Sequence, residues 1–190
     1  MKRARTYTKV RRAAAEEATR ERIVSALIAL HEEVGPARTT VSAVAERAGV
    51  ERLTVYRHFP DEPSMLRACS AHWNALHPPP EMRPPTGDPL ADVRRMILRL
   101  YDWYRTNAAM LIQITADART MPVLAEIMAP YADYLDHVAA ELDGRFPRRN
   151  ARRAQTIRHA LELSTWRSLE RIAGDDRHAA ALAVSWLSAN

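Results

Sequence analysis

The chain has 190 residues and a net charge of +5, a length that suits one medium domain or a small domain joined to a larger one. Its single cysteine, Cys69, excludes an internal disulfide and a cysteine-based zinc site, and this cysteine usage favours a reducing cytoplasm. No apolar N-terminal segment resembles a signal peptide, and the longest apolar run, near residues 179–187, is too short to span a bilayer.

Helix signals run through the whole chain. Glycine and proline stand where helix ends are expected, and no segment shows the sustained alternation of polar and apolar residues that marks strands. The sequence therefore predicts an all-α fold.

The first twelve residues form a basic arm, since no acidic residue precedes Glu16. Residues 1–70 carry 13 basic and 9 acidic side chains, a net charge of +4, whereas the remainder of the chain carries +1. An excess of this kind indicates a surface that binds a polyanion. Taken alone, the arm fits a disordered, solubilising tail better than a groove-binding segment.

Two helices are predicted next. The first covers residues 13–34, with Ile23, Leu27, Leu30 and Val34 on one stripe and Gly35-Pro36 as its stop signal. The second is short, with Thr40 as its hydroxyl N-cap and an apolar face formed by Val41, Val44, Ala45 and Ala48. Gly49 supplies the left-handed conformation that ends a helix, so the sequence predicts a tight turn into a third helix.

The third predicted helix carries a polar, aromatic surface. Glu51 can cap this helix with its carboxylate, and Leu53, Val55 and Phe59 are expected to face the core. The side chains left mostly outward are Arg52, Thr54, Tyr56, Arg57 and His58. Arginine favours guanine edges, threonine meets bases or a thymine methyl, and tyrosine and histidine commonly hold phosphates. This helix therefore fits a major groove of DNA.

The stretch from Thr39 to Asp61 resembles the N-terminal domain of TetR-family transcriptional regulators, of the TetR/AcrR type. The resemblance covers residues 16–70 and is carried, in order and without gaps, by Thr39-Thr40, Ala45, Ala48-Gly49-Val50, Thr54-Val55-Tyr56, His58-Phe59 and Asp61. It implies a basic arm over residues 1–15, a helix-turn-helix DNA-binding domain over 16–62, and a C-terminal effector-binding and dimerisation domain over 63–190. It also implies that the phosphate contacts come from Thr39, Thr40 and the arm residues Arg5, Lys9 and Arg11.

Two residues depart from the family pattern. Glu51 stands where many members have serine or threonine, and Glu62 stands where many have a lysine that touches a phosphate. Glu62 removes that contact and adds a repulsion, so we expect the arm to supply the missing affinity for the DNA backbone. Beside a recognition helix, the DNA-binding interpretation of the arm becomes the stronger one.

A fourth helix is predicted from about Pro63 to Pro78, because proline suits a first-turn position. Residues 78–89 hold six of the 12 prolines and are predicted to be a stiff loop, since proline lacks the amide donor that a helix needs. We interpret this loop as a plain connector in preference to a docking motif for a proline-recognising partner.

The remainder of the chain is also predicted to be helical. The expected segments are residues 90–106, residues 108–119, a short turn between Pro122 and Pro130 followed by a helix to Gly144, residues 150–173 and residues 175–188. Because proline interrupts a helix, we expect the chain to bend near Pro130.

The last predicted helix is apolar nearly all round. One stripe suffices to pack it against its own chain, so Ala180, Val184 and Leu187 are expected to remain uncovered. With Ile157, Leu161, Ser164 and Ser168 of the preceding helix, they are predicted to form a homodimer interface. Such an interface resembles the dimerisation mode of the TetR family and implies a near-palindromic operator. The alternative is that this helix is buried within the monomer.

The C-terminal half contains many residues of the types that line apolar ligand pockets, which are also the types that fill any helical core. The candidates are Trp73, Met96, Leu100, Trp103, Tyr104, Met110, Ile114, Met128, Tyr131, Tyr134 and Trp166. Polar candidates for orienting a ligand are His72, Asp102, Gln113, Asp117, His137 and Thr165. The resemblance implies a repressor that is released from DNA by a small apolar effector. A DNA-binding regulator that needs no ligand is the alternative.

Catalysis has little support in the sequence. The chain has no GxSxG, HExxH or glycine-rich phosphate loop, so we expect no enzymatic activity and no cofactor. No histidine pair at a four-residue spacing stands near a carboxylate, so we expect no metal site. Cys69 is expected to be a small buried hydrophobe.

Overall fold

The computed structural model describes the backbone of residues 2–188 and the side chains of residues 11–187. Over these residues the chain forms ten α-helices and a 3-10 turn at Pro36–Arg38, without a strand, which confirms the predicted all-α class. The helices are α1 (Lys2–Val34), α2 (Val41–Ala48), α3 (Arg52–His58), α4 (Glu62–Leu76), α5 (Pro89–Thr106), α6 (Ala108–Asp117), α7 (Pro122–Gly144), α8 (Ala151–Ala160), α9 (Leu163–Ala173) and α10 (Asp176–Ser188). None of the helices described is long and apolar enough to cross a membrane.

Three predicted helix boundaries are wrong. Helix α1 begins at Lys2 and not near residue 13. The helix expected over residues 150–173 is two helices, because the backbone of Glu162 is extended between α8 and α9. The carbonyl oxygens of Ala160 and Leu161, at the end of α8, accept hydrogen bonds from the hydroxyls of Tyr101 and Tyr104. Conversely, α7 runs through Pro130 as one helix. A proline inside a helix costs about 3 kcal/mol, a penalty that buried side chains on both sides of it can offset.

The chain divides into two compact units. Unit 1 comprises Met1–His77 and Ala109–Ile127, and unit 2 comprises Pro78–Ala108 and Met128–Asn190. The chain therefore leaves unit 2 after α5 and returns to it within α7. The functional boundary expected at residue 62 stays a prediction, since this division describes packing alone.

The core of unit 1 is built by α1, α2, α3 and α4. The predicted stripe of α1 is buried at Ile23, Leu27 and Leu30, and Val34 at its end is half-buried. The other buried members of this core are Val24, Ala26, Val44, Ala45, Ala48, Val55, Phe59, Met65 and Cys69. These side chains hold the two short helices α2 and α3 against the long α1, so their orientation is set by apolar burial.

A turn between α1 and α2 is tied to the end of α6. The backbone N–H of Ala37 donates a hydrogen bond to Asp117 Oδ2 over 2.9 Å. Gly35 has a φ of +87°, and a Cβ atom at this position would lie 2.6 Å from the same oxygen. Glycine is therefore required at residue 35 both by its backbone conformation and by the closeness of Asp117.

Unit 2 buries residues from α5, α7, α8, α9 and α10. Helix α10 contacts α5, α8 and α9, and these three neighbours bury Ala179, Ala180, Ala183 and Leu187. The expectation that Ala180 and Leu187 remain uncovered by their own chain is therefore wrong. Helices α9 and α10 instead expose Ile172, at 75%, and Leu182, at 41%.

The proline-rich segment 78–88 is fastened to unit 2 through its backbone. Its carbonyl oxygens at Pro80, Glu81, Arg83 and Pro84 accept hydrogen bonds from Tyr134, Arg99, Arg145 and Arg95, respectively. The backbone N–H and the hydroxyl of Thr86 donate to the buried carboxylate of Asp92. This carboxylate also lies 2.9 Å from Arg95 and 3.0 Å from Arg145. The segment is thus an ordered strap along α5 and α7.

We predict that Gly35→Ala destabilises the protein more than Gly87→Ala. Both glycines have positive φ, and an alanine in that conformation costs about 1–3 kcal/mol. At residue 35 the new methyl also displaces Asp117 from Ala37 N–H, which costs about 1 kcal/mol more, whereas residue 87 has no neighbour within 4 Å. Urea unfolding of both variants measures the difference. Equal losses would contradict the Asp117 contact.

We predict that Asp92→Asn lowers the free energy of unfolding at pH 7 by about 3 kcal/mol, because it removes a buried charge from two arginines. Although burial acts to raise the pKa of Asp92, the hydrogen bonds from Thr86 and Arg145 lower it overall. The stabilisation is therefore present above the ordinary pKa of 3.8 and is lost as the pH falls below it. Denaturant unfolding between pH 7 and pH 2 checks this, with exposed Asp133→Asn as control. A pH-independent difference would contradict it.

Candidate nucleic-acid interface

The turn between α2 and α3 has the capping geometry that the sequence predicts. Thr40 Oγ1 accepts a hydrogen bond from the backbone N–H of Ala43 over 3.2 Å, as an N-cap should. Gly49 ends α2 with a φ of 64°, and the N–H of Val50 then bonds to the carbonyl of Ala45 over 3.0 Å. These local bonds fix the direction in which the chain enters α3.

Helix α3 starts without a side-chain cap. Glu51 occupies the N-cap position, but its carboxylate makes no capping hydrogen bond, so the predicted carboxylate cap is wrong. Aspartate is preferred at this position, and the side chain of glutamate is one methylene longer. The helix is instead held by its buried face, which consists of Val55 and Phe59, and by Arg20, whose guanidinium lies 5.0 Å above the Phe59 ring.

The outward face of α3 contains one residue that the sequence pattern predicts to lie in the core. Leu53 is 81% exposed, so the prediction that it packs inward is wrong. With 100° per residue, Leu53 lies about 200° from Val55 around the helix, which places it opposite the buried side. Strict use of the helical period around Val55 and Phe59 was the signal that could have identified Leu53 as a surface residue.

The structure exposes most of the predicted recognition residues. Arg52, Tyr56 and Arg57 are exposed, whereas Thr54 and His58 are half-buried. The Nε2 atom of His58 is buried and has no hydrogen-bond partner among the described residues. The face available to a ligand is therefore formed mainly by two arginines, a tyrosine and Leu53.

The structure describes the side chains of only some of the residues predicted to contact phosphates. Thr40 is exposed at the start of α2, whereas Thr39 is half-buried and donates its hydroxyl to the carbonyl of Gly35. Arg11 is exposed. Arg5 and Lys9 lie outside the residues whose side chains are described. Glu62 is exposed in the first turn of α4, where it adds a negative charge.

Five of the predicted effector residues come together in unit 2. We call Trp103, Tyr104, Tyr131, Tyr134 and Trp166 the aromatic cluster. The ring centroids of Trp103 and Tyr131, of Tyr131 and Tyr134, and of Tyr104 and Trp166 are each 5.8 Å apart. Met96 and Leu100 are buried in the same unit, and Met128 is half-buried there. The remaining three candidates belong to unit 1, where Trp73 and Met110 are buried and Ile114 is half-buried.

The tyrosine hydroxyls of the aromatic cluster are engaged within unit 2. The Tyr104 hydroxyl donates to the carbonyl of Leu161 over 2.6 Å, so Tyr131 is the donor in its own 2.6 Å contact with Tyr104. Tyr134 donates to the carbonyl of Pro80. Burial raises the pKa of all three phenols, which keeps them neutral at physiological pH. With its hydroxyls engaged, the cluster offers mainly apolar ring surface.

The polar effector candidates do not gather in one place. His72, Asp102 and His137 are exposed. Thr165 is buried and donates its hydroxyl to the carbonyl of His159. Gln113 and Asp117 lie beside Gly35 in unit 1.

The predicted dimer residues divide between core and surface. Ile157, Leu161 and Ala180 are fully buried in unit 2, and Leu187 is nearly so. Ser164 and Ser168 are exposed and Val184 is half-buried. The surface of α9 and α10 that could meet a second copy is thus formed by the serines together with Ile172 and Leu182.

Cys69 is a buried thiol. Its Sγ atom lies 3.3 Å from Nδ1 of buried His31. Burial raises the pKa of Cys69 to about 12 and lowers that of His31 to about 4, so both side chains are neutral at pH 7. Among the described residues, no group of three or more His, Cys, Asp or Glu side chains is arranged to hold a metal ion.

Comparisons with known proteins agree with this geometry. Residues 23–69 match the family model described as bacterial regulatory proteins, tetR family. This range includes the whole of α2 and α3. A comparison with curated protein sequences finds no match.

Three solved structures share the fold over most of their length. A transcriptional regulator from Rhodococcus sp. Rha1 has a TM-score of 0.64 and 23% identity, covering 88% of this chain and 94% of its own. The fatty acid degradation regulator FadR from Bacillus halodurans has a TM-score of 0.56 and 17% identity, with coverage of 88% and 93%. The multidrug binding protein EbrR, complexed with imidazole, has a TM-score of 0.56 and 20% identity, with coverage of 87% and 88%.

Proposed function

We propose that this chain, whose residues 23–69 match the family model of bacterial regulatory proteins, tetR family, is a cytoplasmic, homodimeric repressor. It binds a near-palindromic operator and is released by a small apolar effector. The observation that carries the proposal is the exposed face of α3, on which arginine and tyrosine side chains project from a helix held by Val55 and Phe59. The protein has no catalytic role in this proposal.

Base contacts are assigned to the exposed residues of α3. Arg52 and Arg57 match the acceptor edge of guanine, and Tyr56 holds a phosphate at the groove edge. Thr54 and His58 are half-buried, so they contribute through the parts of their side chains that remain accessible. Thr39, Thr40 and the basic arm complete the interface by contacting phosphates on either side of the groove.

A second copy of the chain supplies the second recognition helix. The proposed interface uses the exposed surface of α9 and α10, where Ile172 and Leu182 are apolar and Ser164 and Ser168 allow close approach. A two-fold axis then places two copies of α3 on one face of the duplex, which requires a near-palindromic site.

The effector is assigned to the aromatic cluster of unit 2. Because the tyrosine hydroxyls are engaged within the unit, the rings favour an apolar ligand over a strongly polar one.

The effector signal is proposed to travel through α6 and the start of α7 as well as through α4. Helices α5 and α7 carry four residues of the aromatic cluster. In the chain between these two helices, the carboxylate of Asp117 accepts a hydrogen bond from the backbone N–H of Ala37. Ala37 lies just before Thr39 and Thr40, at the entrance to α2. Movement of α5 or α7 therefore biases the position of the helix-turn-helix, as two-state coupling requires.

The proposal is tested by selecting bound sequences from random DNA duplexes at near-physiological salt and measuring the protein-to-DNA stoichiometry. The expected result is a near-palindromic consensus bound by two chains. A library of apolar compounds is then screened for release of this DNA. Binding without any enriched sequence would contradict the regulator, and an operator that no compound releases would favour the ligand-independent alternative.

We predict that Arg52→Ala weakens operator binding by about 1–3 kcal/mol and relaxes the base preference at one position of each half-site. The reason is the loss of hydrogen bonds to a base edge. Fluorescence anisotropy with operator and random duplexes measures both affinities. Equal losses on the two duplexes would show that Arg52 is not a base reader.

We predict that deleting residues 1–12 weakens binding to operator and random DNA alike. The deletion removes six basic residues, and each lost phosphate contact lowers the slope of log affinity against log salt by about 0.9. Titrations from 50 to about 200 mM salt measure the slope. An unchanged slope would assign the arm no role in DNA binding.

A further inference from the structure

Leu53 is the most exposed large hydrophobic side chain among the described residues. It is 81% exposed, compared with 75% for Ile172 and 64% for Leu76. A single exposed leucine needs no explanation on most surfaces. Leu53, however, lies on the face of α3 that the proposed function places against DNA.

The neighbours of Leu53 determine what can cover it. Tyr56 and Arg57 stand three and four residues further along α3, so their side chains share its face, and Arg52 precedes it. Arginine and tyrosine occur at protein interfaces as well as at nucleic-acid interfaces, so the surrounding charge decides between the two kinds of partner. Residues 1–70 carry a net charge of +4, which favours a polyanion that offers an apolar group of its own.

The major groove of DNA offers one such group. Of the four bases, only thymine presents a methyl group there, on C5, and apolar side chains contact it. We propose that Leu53 is a specificity-determining residue that packs on the C5-methyl of a thymine in each half-site of the operator. This proposal rests on the sequence-specific DNA binding proposed above.

The expected effect follows from the size of the contact. Burying one methyl-sized apolar group changes an equilibrium constant by about fourfold at 25 °C. Removing either the thymine methyl or the leucine side chain should therefore weaken binding by at least about fourfold for each half-site. Leu53 is exposed, so Leu53→Ala should leave thermal unfolding unchanged, and this is checked first. Leu76→Ala, at another exposed leucine, is the matched control.

The first experiment compares the consensus sequences that the full chain, Leu53→Ala and Leu76→Ala select from random duplexes. We expect a thymine at one position of each half-site for the full chain and for Leu76→Ala. Leu53→Ala should accept any base at that position and keep the remaining consensus. An unchanged thymine preference in Leu53→Ala would overturn the proposal.

The second experiment deletes the methyl group alone. Each consensus thymine is replaced in turn by deoxyuridine, which differs only in lacking the C5-methyl, and affinities are measured for the full chain and both variants. We expect one position per half-site at which the full chain and Leu76→Ala lose about fourfold and Leu53→Ala loses nothing. Comparing the two duplexes with both the full chain and Leu53→Ala forms a double-mutant cycle, which cancels any effect of deoxyuridine on the duplex itself.

The outcomes separate this inference from the proposed function. A palindromic consensus with no position of this kind, or with equal losses for the full chain and Leu53→Ala, overturns the role of Leu53 and leaves the regulator intact. If no sequence is enriched with any of the three proteins, the proposed function fails and the thymine contact fails with it.

Discussion

The proposed DNA-binding surface depends on the packing of one short helix. Helix α3 has seven residues, too few to be stable alone, and it is held in place by the burial of Val55 and Phe59 against α1 and its neighbours. That burial fixes the rotation of the helix about its axis. The rotation in turn decides that Arg52, Leu53, Tyr56 and Arg57 face outward. The chemistry of the proposed interface is therefore set by two apolar residues that are themselves buried.

Local signals were sufficient for much of the fold. The Thr40 cap, the left-handed Gly49 and the stripe of α1 were predictable because each depends on neighbours within a few residues. The resemblance carried by residues 39–61 likewise agrees with the family match over residues 23–69. The core position predicted for Leu53 is wrong because apolar character alone does not place a residue in the core, and the helical period puts Leu53 opposite Val55.

Other features of the structure depend on contacts that are distant in sequence. At the end of α8, the carbonyl oxygens of Ala160 and Leu161 accept hydrogen bonds from the hydroxyls of Tyr101 and Tyr104, which lie almost 60 residues earlier in the chain. The burial of Ala180 and Leu187 depends on three separate helices that pack around α10. Neither can be read from a periodic pattern, which shows that a face is apolar and leaves open what covers it. The same limit applies to the aromatic cluster, whose hydroxyls find partners that only the fold supplies.

The placement of the helix-turn-helix on DNA can be measured through a single new thiol. Cys69 is buried, with its pKa raised to about 12, so Ser42→Cys gives an exposed thiol on α2 that can carry an iron chelate able to cleave DNA. On the selected operator, we predict two groups of cuts about ten base pairs apart, one beside each half-site. The same labelled protein should give no focused cuts on a random duplex. Uniform cleavage of the operator, or focused cleavage of the random duplex, would contradict the account.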